Sequence, residues 1–576
     1  MVNSFFDRVA VSSADDDGRT LACERLGNGP SDPARATSHE SCQLVHGWGR
    51  DCGYRNPSTT APGVRKSSRG GRTFITAPTF RERMQSLDGE SVVVIGAGVG
   101  GLSTACYLAD AGADVRVLEK NEQLGGRASR LERDGFRFDM GPSWYLMPDV
   151  FERFFDHFDR TPTDYYGLTH LDPHYRIFFK DGDEVDVTPD LERTKRVFES
   201  YEDGAGEALE RYLEKSRENY EVGMEHFVYE DRSKLRDYLD LDVARQARGL
   251  SLLGSMQGHV EDYFDHPKLQ QIMQYTLVFL GGSPKNTPAL YNLMSHVDFN
   301  LGVWYPEDGI GGVIDGIAEL GRELGVEYET NRPATGIKGR EGAFLVETPE
   351  GPLRPDLVVS NADYHHTDQE LLPDERQGYD ADYWDSRTYA PSAFLLYLGV
   401  EGNVDELAHH TLVLPTDWEE HFEQIFEDPA WPDDPAYYCC VPSETDDDVA
   451  PDGHSALFVL VPIAPGLEDT PEQREQYREL VLDDLADHTG TDLRDRIALE
   501  EQFCIEDFAN RYNSYEGTAL GLAHTLRQTA LFRPPHRAKR VDGLYMVGGD
   551  TTPGIGVPMC LISGELTAEA VLEDHG

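Results

Sequence analysis

Three glycines and one glutamate have the types and the spacing of a dinucleotide-binding site. Gly96, Gly98 and Gly101 follow a short apolar run, and Glu119 comes about twenty residues after this glycine pattern. In such a pattern the first glycine permits a tight turn, the second lets the backbone approach a pyrophosphate, and the third allows close helix packing. A carboxylate at the position of Glu119 accepts hydrogen bonds from ribose hydroxyls. The pattern therefore predicts a bound NAD or FAD.

The elements that must position these residues are encoded in the same stretch. The sequence "SVVVIGAGVGGLSTACYLADAGADVRVLEK" (91–120) predicts a buried strand at 92–95, a helix, and a second strand at 115–119. Leu102, Ala105, Cys106 and Ala109 share one face of the predicted helix. This βαβ arrangement predicts an α/β fold with a Rossmann-type domain and leaves an incidental glycine turn as the weaker interpretation.

A second glycine pair distinguishes between the two cofactors and favours FAD over NAD. Gly125, Gly126 and Arg127 follow the second strand, where they can meet a pyrophosphate and the edge of a flavin ring. In these residues, and in "GFRFDMGPSWY" (135–145), the chain resembles the superfamily of FAD-containing amine oxidases and phytoene desaturases. The resemblance implies FAD as a non-covalently bound cofactor, with Asp139 in a turn near the isoalloxazine.

The likeness narrows to carotenoid desaturases of the bacterial and archaeal type and covers nearly everything from Ser91 onward. Its most specific part is "GGDTTPGIGVPMCLISG" (548–564), which is similar to the closing signature of that family. The resemblance implies a loop that contacts the flavin, followed by a helix that begins at the pyrimidine end of the ring. It also implies cofactor contacts at Ala334, through its backbone, and at Gly549, Asp550, Gly554, Gly556 and Val557.

The chemistry implied by the resemblance is removal of a hydride from an allylic carbon to flavin N5 and loss of a proton from the neighbouring carbon. The sequence contains no Ser/His/Asp triad and no carboxylate pair, and this reaction needs neither, since a weak base suffices beside an allylic cation. Arg127, Asp139 and Thr552 are predicted to lie closest to the reaction. Thr552 stands where many family members have histidine, so no histidine is given a catalytic role here.

The resemblance implies desaturation of a carotenoid precursor, and we expect phytoene to be converted toward lycopene. The alternative enzyme functions on the same scaffold are those of a carotenoid 3,4-desaturase, an isomerase or a prenyl reductase. A further alternative is a lipid escort protein that has lost the flavin. The substrate is a C40 isoprenoid hydrocarbon, whose transfer from water to an apolar phase is worth roughly 30 kcal/mol. We therefore expect the enzyme to take it from a membrane surface and to pass electrons to a quinone or to oxygen.

Composition limits the partners and the setting. The chain of 576 residues has a formal net charge of −52, which disfavours nucleic acid as a partner and predicts a surface adapted to molar salt, as in an extreme halophile. An ordinarily acidic enzyme is the alternative. The eight cysteines form no CxxC pair, so we predict a reducing cytoplasm and no metal site. The chain has no run of eighteen apolar residues, so we expect peripheral rather than spanning membrane association.

The resemblance divides the chain into a cofactor domain and a mixed α+β substrate domain. The FAD-binding domain is assigned to 89–150, 300–365 and 535–576, and the substrate domain to 151–299 and 366–534. Residues 1–83 hold 12 basic and 9 acidic residues with little apolar periodicity, so we expect a disordered or non-native leader before a start at Met84, the alternative being a targeting or regulatory arm. The segment 244–257, with two arginines beside three leucines, is a candidate membrane contact or a buried helix.

Overall fold

The computed structural model describes residues 86–229, 254–525, 527–529 and 532–576. The expected leader at 1–83 lies outside the described residues, as does the segment 244–257 except for its last four residues. Among the helices within the described ranges, none combines the length and the apolar character needed to span a bilayer.

The described chain alternates between strands and helices. The strands are β1 (Ser91–Ile95), β2 (Asp114–Leu118), β3 (Arg130–Arg133), β4 (Phe136–Asp139), β5 (Leu168–His170), β6 (Tyr175–Phe179), β7 (Glu184–Val187), β8 (Trp304–Pro306), β9 (Glu327–Glu329), β10 (Gly336–Lys338), β11 (Leu345–Glu347), β12 (Leu357–Ser360), β13 (Ser392–Glu401), β14 (His410–Leu414), β15 (Tyr437–Cys440), β16 (His454–Ile463), β17 (Ile497–Phe503) and β18 (Leu544–Met546). The α-helices span Val99–Asp110, Pro148–His157, Leu191–Tyr201, Ala205–Gly223, Met256–Glu261, Pro267–Gln274, Leu277–Leu280, Leu293–His296, Gly309–Glu323, Tyr364–His366, Ala381–Asp385, Trp418–Phe426, Pro471–Thr489, Ile505–Tyr512 and Val557–His575.

A five-stranded parallel sheet, in the order β18-β12-β1-β2-β9, carries the predicted glycine turn. The helices Val99–Asp110, Gly309–Glu323 and Val557–His575 pack together on one face of this sheet, and the β10–β11 hairpin covers the other face. Successive residues of β1 alternate between these two apolar layers, which explains why its sequence is a continuous apolar run. The predicted α/β class and the βαβ unit are confirmed.

A seven-stranded mixed sheet, in the order β17-β13-β16-β15-β14-β6-β7, forms the second large layer. Its neighbours are antiparallel except for the parallel pair β14 and β6. Leu396 and Leu398 of β13 pack on the side of the helix Pro471–Thr489, while Leu395 and Tyr397 face the core that contains the helix Ala205–Gly223. All seven strands fall within 151–299 and 366–534, and the division of the chain into two domains stays a prediction.

Candidate active site

A cavity of about 830 Å³ begins at the carboxyl ends of β1 and β2, and its lining continues onto the seven-stranded sheet. Ile95 and Leu118, the last residues of the two parallel strands, line its first part, and Leu412 of β14 and Leu460 of β16 line its far part. Ligands of open parallel sheets bind at this end of the strands. The cavity therefore joins a dinucleotide position to a mainly apolar chamber.

The glycine turn presents bare backbone to the cavity. The helix Val99–Asp110 has Gly98 as its N-cap and no side-chain hydrogen bond to its first amides, so these donors can meet an anion. Gly101 has no room for a side chain, because a Cβ there would lie 2.2 Å from the carbonyl oxygen of Gly96. A Cβ on Gly126 would approach the Cα of Gly98 to 3.2 Å. The two glycine turns thus pack against each other beside the cavity.

Glu119 follows β2 directly and lines the cavity. Its carboxylate is 4 % exposed and accepts hydrogen bonds from the backbone N–H of Ala97 at 2.8 Å and of Asn121 at 2.9 Å. These bonds fix the carboxylate between the two turns, and they leave lone pairs that can accept from ribose hydroxyls. The contact of Glu119 with an adenosine ribose stays a prediction.

Arg127 provides the test of whether the cavity fits FAD. Its Nη2 donates to the Oγ of Ser514 at 2.5 Å, and its Nε is buried without a hydrogen-bond partner among the described residues. A buried guanidinium donor left unpaired is costly, so a ligand acceptor in the cavity would satisfy it. The residues present fit a cofactor with a pyrophosphate and carbonyl-bearing ring, which FAD is.

The closing loop reaches the cavity from β18. Gly549, Asp550, Gly556 and Val557 line the cavity, and the helix Val557–His575 has Gly556 as its N-cap, without a side-chain hydrogen bond at the cap. Pro558 has no N–H and that of Cys560 donates to Gly556, so Val557 and Met559 supply the first-turn amides that can stabilise negative charge on a ligand.

Arg533, which the sequence did not single out, holds this loop in place. Its guanidinium is 4 % exposed and donates to four backbone carbonyls. These belong to Leu522 (2.8 Å), Gln528 (3.2 Å), Gly549 (2.6 Å) and Thr551 (3.0 Å). Arg533 therefore positions the closing loop through its backbone.

His524 and Tyr291 form a second polar pair in the cavity wall that the sequence did not single out. The backbone N–H of Ile555 donates to Nε2 of His524 at 3.1 Å, so Nδ1 carries the proton and donates to the hydroxyl of Tyr291 at 2.7 Å. Burial lowers the pKa of His524 far below its ordinary value, so the imidazole is neutral. The free proton of Tyr291 can therefore be donated to a further acceptor, and His524 positions the loop.

Two carboxyl groups meet where the parallel sheet and the closing loop join. Asp550 accepts from the backbone N–H of Leu522 at 2.9 Å, and Asp363 accepts from the backbone N–H of His366 at 3.1 Å. Burial, followed by the nearby charge of Asp550, raises the pKa of Asp363 to about 7, and Arg127 opposes this shift. Both side chains line the cavity and can accept hydrogen bonds from a polyhydroxylated ligand chain.

Most of the predicted cofactor contacts are brought together by the fold. Those that line the cavity are Gly96, Gly98, Glu119, Gly125, Gly126, Arg127, Ala334, Gly549, Asp550, Gly556 and Val557. Gly101 and Gly554 are not in the lining. At Gly554, with φ of +135°, a Cβ would lie 2.2 Å from Cε1 of His524, so its bare backbone serves loop packing.

Asp139 and Thr552, predicted to lie closest to the reaction, are not among the residues that line the cavity, and their catalytic role stays a prediction. The carboxylate of Asp139 is occupied by the backbone N–H groups of Ile310 and Gly311, at 2.9 and 3.0 Å, at the start of the helix Gly309–Glu323. The hydroxyl of Thr552 lies 2.9 Å from Nε2 of His536. Both residues therefore have hydrogen-bond partners within the protein.

A buried carboxyl group stands behind the far part of the cavity. Asp298 is 1 % exposed and accepts hydrogen bonds from the hydroxyls of Tyr175 and Tyr275, at 2.8 and 2.9 Å. Tyr275 lines the cavity beside Trp144. Burial raises the pKa of Asp298 to about 7, although the two tyrosine hydrogen bonds oppose the shift.

The Asp298 shift predicts a pH-dependent cost to stability. The folded protein keeps this carboxyl protonated up to about pH 7. In the unfolded chain the Asp298 carboxyl ionises at about pH 4. Between about pH 4 and about pH 7 the stability of the wild type therefore falls as the pH rises. We expect Asp298→Asn to remove this pH dependence. The free energy of unfolding of the variant should then rise relative to that of the wild type by up to about 1.4 kcal/mol per pH unit.

Denaturant titrations in constant high salt, at pH values from about 5 to 8, measure this difference. Asp203→Asn, which removes the charge of an exposed carboxyl group, is the matched control for the change of residue type. A difference for Asp298→Asn that does not change with pH would show that this carboxyl ionises normally in the folded protein.

Comparison with known proteins places the chain in a family. The profile of the family described as flavin containing amine oxidoreductase matches residues 99–572, and that of pyridine nucleotide-disulphide oxidoreductase matches residues 52–133. Among solved structures, a putrescine oxidase triple mutant is similar with a TM-score of 0.55 at 15% identity, covering 84% of this chain and 99% of that one. At this identity the likeness supports the fold alone.

Two similar proteins narrow the family to which the chain belongs. A carotenoid 3,4-desaturase of Haloarcula japonica is 69% identical over 493 residues, covering 85% of this chain and 100% of that protein. A zeta-carotene-forming phytoene desaturase of Myxococcus xanthus is 34% identical, covering 84% of this chain and 95% of that protein. The first relative comes from a halophilic archaeon, in agreement with the acidic composition. The chain belongs to the carotenoid desaturases of the flavin-containing amine oxidoreductase family, and it is an FAD-dependent oxidoreductase acting on carotenoid CH–CH bonds.

Proposed function

We propose that the protein introduces the 3,4 double bond of a carotenoid end group. The observation that carries this proposal is the 69% identity, over the full length of that protein, to a carotenoid 3,4-desaturase. Desaturation of phytoene, the substrate expected from the sequence, is supported only by relatives at 34% and 33% identity. We therefore treat phytoene as the competing substrate in the test.

The shape and lining of the cavity suit a substrate that enters by one end. The C3–C4 bond lies near one end of the C40 chain, so only that end must reach the flavin. Leu412, Leu414 and Leu460 line the part of the cavity on the seven-stranded sheet, where they can bury an apolar end group. Each buried carbon contributes about 0.8 kcal/mol to binding, so the apolar wall supplies most of the affinity.

FAD supplies the hydride acceptor, so each new double bond takes a hydride from one carbon and releases a proton from its neighbour. The chain itself binds and orients. Glu119 and the two glycine turns would hold the dinucleotide, and Arg127 would donate to it. His524 is not the proton acceptor, because its Nε2 already accepts from Ile555. The cavity walls exclude water from the polyene.

We further propose that the enzyme works at a membrane surface. A C40 hydrocarbon cannot diffuse through water, since its transfer from water is worth roughly 30 kcal/mol to the apolar phase. The substrate must therefore pass directly from the lipid into the cavity. A quinone dissolved in the same lipid, or oxygen, would reoxidise the flavin.

The test offers the two substrates separately. Purified FAD-loaded protein in high salt is mixed with liposomes that contain either lycopene or phytoene, and the products are separated by chromatography with absorption detection. We expect lycopene to give products with longer-wavelength absorption maxima, since a 3,4 double bond extends the conjugated chain, and phytoene to stay colourless.

Two results would contradict the proposal. Coloured products from phytoene with lycopene unchanged would make phytoene the substrate. If protein that holds FAD converts neither lycopene nor phytoene, both proposed substrates are wrong. Flavin-free protein is the control, since it should convert neither substrate while still binding to the liposomes.

A further inference from the structure

Two histidines and a cysteine meet behind the cavity wall, away from the cofactor contacts. One possible ligand atom from each of His409, His410 and Cys440 lies within 4.8 Å of the other two. All three side chains are more than nine-tenths buried. None of them lines the cavity, so the substrate site does not explain the cluster.

Strand pairing places the three side chains. His410 of β14 and Cys440 of β15 are directly opposite each other in the antiparallel register, so both project from the same face of the sheet. His409 precedes β14, where its carbonyl oxygen accepts from the backbone N–H of Val441 at 2.8 Å. The ring centroids of the two histidines are 4.5 Å apart. Cysteine spacing in the sequence could not indicate this cluster, since only the pairing of β14 with β15 brings Cys440 beside the two histidines.

The outer nitrogens of both histidines are already engaged. Nδ1 of His409 lies 2.7 Å from the hydroxyl of Thr445, and Nδ1 of His410 lies 2.7 Å from the hydroxyl of Tyr438. The Nε2 atoms of both rings are buried and have no hydrogen-bond partner in the described part of the chain. Metal-binding histidines have this arrangement, in which one nitrogen is fixed by an outer partner and the other faces the ion.

Charge at the cluster also suits a cation. Neutral imidazoles and a thiolate are the forms of these side chains that bind metals. The carboxylates of Asp446 and Asp139 act electrostatically on His409 and Cys440, so negative charge is at hand to balance the ion.

We propose that His409, His410 and Cys440 bind one zinc ion through Nε2, Nε2 and Sγ. Imidazole nitrogen and thiolate sulfur are both ligands that zinc accepts, with bonds of about 2.0–2.3 Å. Such bonds place ligand atoms roughly 3.3–3.8 Å apart. Side-chain rotations that move the ligand atoms by about 1 Å would therefore bring them to bonding distance of one ion. The ion would tie β14 to β15. It would also support Trp144, which lines the cavity and stacks on His410 with ring centroids 4.4 Å apart.

The test measures metal content directly and does not depend on the substrate. FAD-loaded protein is exposed to zinc chloride, desalted, and analysed for zinc and flavin. Wild type should retain about one zinc per chain, and Cys440→Ser should lose most of it. Cys439→Ser is the matched control, because Cys439 is the adjacent buried residue of β15 and packs in the other core. Zinc should also raise the thermal midpoint of wild type and of this control, but not of Cys440→Ser.

A wild type that retains less than about a tenth of a zinc per chain would overturn the proposal. Equal zinc in Cys440→Ser and Cys439→Ser would overturn it as well, since the ion would then bind elsewhere. If Cys440→Ser does not fold, His409→Phe provides the second variant. It preserves an aromatic contact with Tyr305, whose ring centroid lies 4.7 Å from that of His409, and removes one ligand. Unchanged zinc in His409→Phe would likewise reject the site.

Discussion

Glu119→Arg is expected to yield purified protein without flavin. In the wild type this carboxylate is buried between the two turns, accepts from the backbone N–H of Ala97, and lines the cavity. The arginine removes the acceptor for ribose hydroxyls and places a cation where the wild type buries an anion. Loss of charge-assisted hydrogen bonds alone is worth about 1.5–3 kcal/mol, so FAD affinity should fall at least about tenfold. The ratio of flavin to protein absorbance measures the loss.

Two further variants make this result specific. Glu327→Arg introduces the same change on β9, where the glutamate is exposed and paired with Arg116, and it should keep the flavin of the wild type. Glu119→Gln preserves the shape of the side chain, so it should fold even if the arginine variant does not, and bind FAD more weakly. Full flavin occupancy in both Glu119 variants would show that this carboxylate does not bind the cofactor.

Arg533→Met is expected to disrupt the closing loop as a whole. The wild-type guanidinium donates to four backbone carbonyls, among them those of Gly549 and Thr551 in the loop. Methionine fills much of the same space but donates nothing, and each buried carbonyl left unpaired costs about 1–3 kcal/mol. We expect the free energy of unfolding to fall by at least about 3 kcal/mol, with loss of bound FAD. Thermal unfolding followed by flavin fluorescence measures both effects.

Arg527→Met is the control for this variant, because Arg527 lies on the same segment with an exposed side chain. It should behave like the wild type. Arg533→Lys retains the charge but can reach fewer carbonyls, and we expect a loss between those of the other two variants. A methionine variant with wild-type stability and flavin content would mean that the loop holds its shape without Arg533.

The part of the site that sequence could predict is the part encoded locally. Gly96, Gly98, Gly101 and Glu119 belong to one βαβ unit, so their spacing along the chain determines their positions in space. The closing loop was found by family resemblance, and its residues do meet the glycine turns at the cavity. In both cases a short stretch carries its own geometry.

What the sequence could not predict depends on contacts between distant residues. Asn361 is an example: its Nδ2 donates to the carbonyl oxygen of Val547 at 3.0 Å, and its side chain closes the space above Gly98. Arg533, His524 and Asp298 likewise acquire their environments only from the tertiary fold. The motif that contains Asp139 likewise gave no sign that its carboxylate accepts from the first amides of the helix Gly309–Glu323, which lies far along the chain.

The arrangement of the parallel sheet also bears on when the enzyme can acquire its cofactor during biosynthesis. β18 completes the edge beside β12, and the helix Val557–His575 packs on the helix Val99–Asp110. The hydroxyl of Ser103 donates to the carbonyl of Leu561, 458 residues further along the chain. A nascent polypeptide that ends before β18 has the glycine turns but lacks the loop opposite them. We therefore expect stable flavin binding only after translation has passed this region, and flavin content should then separate finished chains from prematurely terminated ones.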